Sequence, residues 1–99
     1  MSNRSFINLI HSAEAEVLCP HCGYNYTHQG EVNIYERGED QLTGNHVRVL
    51  DDKITVDRDI SKNPSPRRHG VAIDMRCETG HDFKLNIYQH KGNTYISVE

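Results

Sequence analysis

Cys19 and Cys22 stand two residues apart, and Cys77 and His81 stand three residues apart much further along the chain. This spacing constrains the chain more than any other feature. Two residues between cysteines let both thiolates face one ion, with backbone N–H groups turned toward the sulfurs. Gly23 follows the second cysteine and suits the left-handed turn that such a knuckle needs. Cys77-Glu78-Thr79-Gly80-His81 supplies a second half across another glycine turn. Together the halves read Cys-x2-Cys and Cys-x3-His, the donor set of a tetrahedral Cys3His zinc site. The expected cofactor is one structural Zn²⁺ per chain, held by Cys19, Cys22, Cys77 and His81. His28, six residues after Cys22, is the competing fourth ligand. His21, inside the knuckle, is expected to point outward.

The chain has three cysteines, and an odd number leaves one over from any disulfide framework. A reducing compartment with a metal site accounts for all three, so the cytoplasm is expected. The chain has 99 residues, one domain by length, and only 35% are hydrophobic. A domain of this size buries about 65% of the surface its unfolded chain exposes. Such a thin core calls for a staple. Apolar runs fall far short of the ~18 residues of a membrane span, so no membrane partner is expected. Met1 to Ile10 carries one Arg and only a short, broken apolar patch, which does not read as a secretory signal.

The dominant period along the chain is two. Val32 and Ile34 alternate with Asn33 and Tyr35, and Val47 and Val49 with Arg48 and Leu50. Ile54 and Val56 alternate with Thr55 and Asp57. Val71, Ile73 and Met75 form one face with Cys77, and Phe83, Leu85 and Ile87 another. Ile96 and Val98 close the chain. The pattern predicts a mostly β fold: half-buried antiparallel strands and hairpins around a zinc-ribbon-type site, each strand with one face in and one face wet. Asp51-Asp52 and Lys91-Gly92-Asn93 mark hairpin turns.

Ser5 to Ile10 alternates as a strand would and equally starts a short helix running through Ala13 and Ala15. The helix or an irregular arm is the favoured reading, so residues 1–15 read as an N-terminal arm ahead of a single zinc-ribbon-like domain at 16–99. The stretch 58–70, with two prolines and the basic or imidazole residues Arg58, Lys62, Arg67, Arg68 and His69, reads as a long exposed loop. The histidines outside the metal-site reading, His11, His46, His69 and His90, read as exposed or strand-surface imidazoles.

The chain combines Leu18-Cys19-Pro20-His21-Cys22-Gly23, Tyr26, His28, Arg37-Gly38-Glu39-Asp40, Asp57-Arg58, Asn63-Pro64, Arg76 to Phe83, and Gln89 to Tyr95. In these the chain resembles a group of small zinc-ribbon-like proteins of bacteria and of their phages and mobile elements, over roughly residues 16 to 98. The resemblance implies a metal site at Cys19, Cys22, Cys77 and His81, with the His90-Lys91-Gly92 turn as part of the pattern. That group has no established activity, so the resemblance implies none.

The functional expectation is a zinc-stabilised binding module that docks on a protein, as a regulator or inhibitor of a host factor would. The alternative is a nucleic-acid-binding zinc ribbon that uses Lys62, Arg67, Arg68 and His69, with tyrosines as stacking platforms. The formal net charge of −3 argues against general nucleic-acid binding. A catalytic zinc domain is the second alternative. Three thiolates make a poor Lewis acid, a fourth ligand is at hand, and no His is followed two residues later by Glu as a zinc deaminase requires. No phosphate loop, Gly-x-Ser-x-Gly or dinucleotide fingerprint occurs. The chain is expected to be a monomer or a homodimer, the latter through an edge strand near Thr94 to Glu99.

Overall fold

A computed structural model describes residues 7–11 and 14–99. Among these residues every regular element is a strand. They are β1 (Ile7–His11), β2 (Glu14–Val17), β3 (Thr27–Glu36), β4 (Asn45–Leu50), β5 (Lys53–Asp57), β6 (Gly70–Cys77), β7 (Asp82–His90) and β8 (Asn93–Val98). Among them no helix is long and apolar enough to cross a membrane.

The main sheet has six antiparallel strands in the order β5-β4-β3-β6-β7-β8. It consists of two local meanders, β3-β4-β5 and β6-β7-β8, joined along the β3–β6 seam. Two-residue turns close the hairpins predicted from sequence. Asp51 and Asp52 adopt φ of 52° and 64°, and Lys91 and Gly92 adopt 53° and 82°. Two successive residues with positive φ match the right-handed strand twist, and Asp and Gly tolerate that region best.

The N-terminal expectation is corrected. Ile7–His11 is a strand, not a helix, and pairs antiparallel with Glu14–Val17, Ile7 opposite Val17 and Leu9 opposite Ala15. Period-two alternation across the pair overrides the helical spacing read through Ala15. The residues at 1–6 and 12–13, Ala13 included, lie outside the described residues. Strand β2 also crosses the expected boundary between an arm at 1–15 and a domain at 16–99.

Register places the alternating residues on two contrasting faces. One face carries two rungs that cross all six strands: Ile54–Val49–Val32–Ile73–Leu85–Val98 and Val56–Val47–Ile34–Val71–Ile87–Ile96. These are aliphatic, mostly β-branched side chains, the type that favours strands. The opposite face is polar: Asn33 lies between Arg48 and Ala72, and Tyr35 between His46 and Gly70.

The burial inverts the usual arrangement. Tyr35, Ala72, Asn33 and Asn86, all on the polar face, are buried, whereas Ile34, Ile54, Val56 and Ile96 on the aliphatic face are exposed. The cause is the segment between β5 and β6. It was expected to be a long exposed loop, but it is pinned across the polar face. Ser65 is buried; its hydroxyl donates to the Gln89 carbonyl at 2.5 Å and accepts from the amides of Arg67 and Arg68. Arg37 Nη2 donates to the Ser65 carbonyl, and Asn63 Nδ2 donates to the Arg68 carbonyl. Gly70 is required by the close crossing, because a Cβ there would run into the Asn63 side chain and the Pro64 ring. Exposed positions such as Lys62 and Arg68 remain on its outer surface.

The apolar core lies at the far end of the sheet. Cys19, Met75, Cys77 and Phe83 form it, with Val17, Ile73, Leu85 and Val98 packed against them.

Candidate metal centre

Two turns of similar build face one another. In the first, the Gly23 amide donates to the Cys19 carbonyl at 2.8 Å, Gly23 has φ of 79°, and the His21 amide points at Cys19 Sγ at 3.4 Å. In the second, the Gly80 amide donates to the Cys77 carbonyl at 2.9 Å, Gly80 has φ of 101°, and the Thr79 amide points at Cys77 Sγ at 3.4 Å. Each turn lets an amide two residues on support a sulfur, which stabilises the thiolate form. The first turn leads into β3 and the second joins β6 to β7. The pairing of Thr27 with Cys77 across the seam therefore sets them side by side.

The ligand atoms of Cys19, Cys22, Cys77 and His81 all lie within 4.8 Å of one another. Cys22 Sγ is 3.6 Å from Cys77 Sγ, and Cys19 Sγ is 3.8 Å from His81 Nδ1. A tetrahedron with metal–sulfur bonds of ~2.3 Å and metal–nitrogen bonds of ~2.0 Å has edges of about 3.5–3.8 Å. The donor set therefore fits a tetrahedral ion in number, type and spacing. Cys19 and Cys77 are fully buried and Cys22 is exposed, so the site reaches from the core to the surface.

The electrostatics differ among the thiols. Burial pushes Cys19 up from the ordinary thiol range, against the pull of the His21 and Cys22 amides. Cys22 is lowered to about 6, chiefly by the Thr79 hydroxyl and then by the Tyr24 amide. Thr79 Oγ1 is 2.9 Å from Cys77 Sγ, 3.4 Å from Cys22 Sγ and 3.1 Å from His81 Nδ1. It contacts three of the four ligands, a role the sequence analysis missed. Its position two residues after a ligand, matching that of His21, was the available signal.

His28, the competing ligand, stands outside the cluster, with Nε2 2.7 Å from Glu78 Oε2. His21 lies at the surface, its Nε2 donating to the Asp82 carbonyl at 3.2 Å and its ring 5.3 Å from that of His81. It steadies the second turn from the first.

Of the four residues proposed for nucleic acid, Lys62 and Arg68 stay exposed, whereas Arg67 and His69 are engaged within the structure. Arg67 forms a two-pronged pair with Asp40, at 2.8 and 2.6 Å. His69 Nδ1 accepts from the Arg37 amide. Arg48 pairs with Glu31 at 3.0 Å and Lys84 with Asp74 at 2.7 Å. Both pairs line a polar hollow of about 660 Å³ on the covered face. His46, read from sequence as a surface imidazole, is built into that hollow. Its ring stacks on Tyr35 with centroids 4.7 Å apart, Nε2 is 2.7 Å from Asn33 Oδ1, and Nδ1 is 2.9 Å from Asp57 Oδ1. His90 Nδ1 is buried too, while His11 has no described side chain.

Fold and site together define an all-β metal-binding module of the Cys3His type. No protein-family model, curated protein or solved structure matches the chain.

Proposed function

We propose that the chain is a zinc-stabilised binding module of the cytoplasm that acts by docking on a protein, with the metal serving the fold rather than chemistry. The observation that carries this reading is the closed donor set: three sulfurs and one imidazole at tetrahedral spacing, two of the sulfurs inside the core. Soft thiolates with one imidazole suit zinc. Four protein ligands leave no position for a substrate or water. Free cysteines in ligand geometry fit a reducing compartment. The resemblance to small zinc-ribbon-like proteins of bacteria and their phages extends the reading to a regulator or inhibitor of a host factor. The pairing of Arg67 with Asp40 weakens the nucleic-acid alternative, because that guanidinium is already neutralised.

Cobalt substitution followed by visible spectroscopy tests the closed site. A tetrahedral spectrum unchanged by added cyanide or azide is expected. A spectral shift on adding the anion would reveal an open position and favour the catalytic alternative. Native mass spectrometry of the zinc-loaded chain, purified from its own cell, tests the partner. A stoichiometric second protein is expected, and bound nucleic acid would overturn the protein-docking reading.

A further inference from the structure

A sheet normally buries its apolar face and leaves its polar face to water. Here the pinned segment covers the polar face. On the aliphatic face Ile73, Leu85 and Val98 pack against the core at the metal end, and among the described residues the rest of the two rungs, including Ile34, Val49, Ile54, Val56, Ile87 and Ile96, is left exposed. Small domains are built from two packed layers. One layer is present, and the face it leaves open carries no charge at any of its rung positions. The exposure is not confined to the margins. Ile34, on β3 in the middle of the sheet, is 41% exposed, and at the edges Ile54 is 70%, Val56 68% and Ile96 52% exposed.

We propose that this face is covered by the same face of a second copy of the chain, forming a two-fold β-sandwich. Area supports this occupant. The exposed surface of the two rungs is on the order of 700 Å², close to the ~800 Å² that each partner contributes to a standard stable interface. It also exceeds the few hundred Å² of contiguous apolar patch that monomers usually expose. Charge supports it as well. An isologous interface sets a patch against itself, so any charge within it would meet like charge. A face made of aliphatic side chains alone is self-complementary in that sense. At the rim, Glu36 is already satisfied by Asn45 Nδ2 at 2.9 Å. Two such sheets would pack about 10 Å apart with strands inclined by roughly 30°. The polar face, with its pinned segment, stays free on the outside of each copy.

The experiment is sedimentation equilibrium of the full zinc-loaded chain from 1 to 200 µM. The expected species is twice the 11.4 kDa chain. Ile34→Lys is the central variant, because it lies far from both sheet edges and forces an unpaired ammonium into the interface. It is expected to weaken the dimer at least 100-fold with zinc content and sheet circular dichroism intact. Ile54→Lys, at a more exposed position, provides the same test if Ile34→Lys fails to fold. Thr55→Lys, on the same strand but the opposite face, is expected to leave the dimer unchanged. A monomer throughout the range would overturn the proposal and leave the face to another protein or to a segment of the same chain. A dimer that survives both aliphatic-face variants would overturn it in favour of edge pairing through β5 or β8. A dimer weakened equally by Thr55→Lys would overturn the assignment of the face.

Discussion

Stripping the metal is expected to unfold the chain. The buried apolar side chains among the described residues are Cys19, Tyr35, Ala72, Met75, Cys77 and Phe83, and the two that are fully buried, Cys19 and Cys77, are both ligands. Burial of each of the other four contributes about 1–3 kcal/mol. A structural zinc site contributes about 10–16 kcal/mol in apparent terms near neutral pH. Ligation thus outweighs the rest of the deep core, in a domain class whose total stability is ~5–15 kcal/mol. The assay is far-UV circular dichroism during titration with a strong chelator, with released metal followed by a chromogenic indicator. Sheet signal and metal are expected to be lost together, and the stripped chain to show no cooperative melt. Each 1 kcal/mol moves Tm by about 4–8 °C at this size, so even a tenth of the site's contribution is measurable. A stripped chain that keeps both its sheet and a cooperative transition would refute the reasoning and shift the stability to the sheet.

Three other outcomes follow from the covered face. Gly70→Val is expected to lift the pinned segment off the sheet, because the new side chain meets Asn63 and Pro64; limited proteolysis should then cut between residues 58 and 69, and wild-type resistance would count against the crossing. His46→Leu leaves the buried Asn33 carboxamide oxygen without its ring partner, for a loss of about 1–3 kcal/mol in urea unfolding of the zinc-loaded protein. The pair with Arg67 holds the Asp40 carboxyl below its ordinary value, so its contribution is present above about pH 4 and is lost as pH falls through the lowered folded-state value. The stability difference between wild type and Asp40→Asn should be level from pH 8 to about 5 and shrink below about pH 4; a difference that grows on acidification would refute the pairing.

The strands were legible because β-branched residues alternate cleanly, and the two-residue turns announce themselves through Asp51-Asp52 and Lys91-Gly92. The four ligands were legible because knuckle spacing is a local requirement. The N-terminal strand was not, since Ile7 and Leu9 fit both periods until Val17 and Ala15 are seen opposite. Which face is covered was also illegible. Alternation tells that two faces differ, but the cover on the polar face comes from a polar segment whose anchor, Ser65, has no hydrophobic signal. His46 acquires its role from Asn33 and Asp57 on neighbouring strands, which spacing alone does not reveal, whereas Thr79 sits between two ligands and was signalled only by its place two residues after Cys77.

The position of the metal centre has a kinetic consequence. Each meander is assembled from local hairpins, whereas the β3–β6 seam joins residues from 35 positions apart, Tyr35 with Gly70, to 50 apart, Thr27 with Cys77. Closing a loop of that length costs on the order of 3–4 kcal/mol of chain entropy before any contact across it is gained. The first knuckle precedes β3 and the second follows β6, so ligation ties the two halves at one end of the seam. Capture of Cys77 and His81 by an ion already held at Cys19 and Cys22 makes the remaining seam pairs near neighbours. The rate at which this chain folds should therefore depend on free zinc concentration, with the ribosome releasing both knuckles only after β6 has been made.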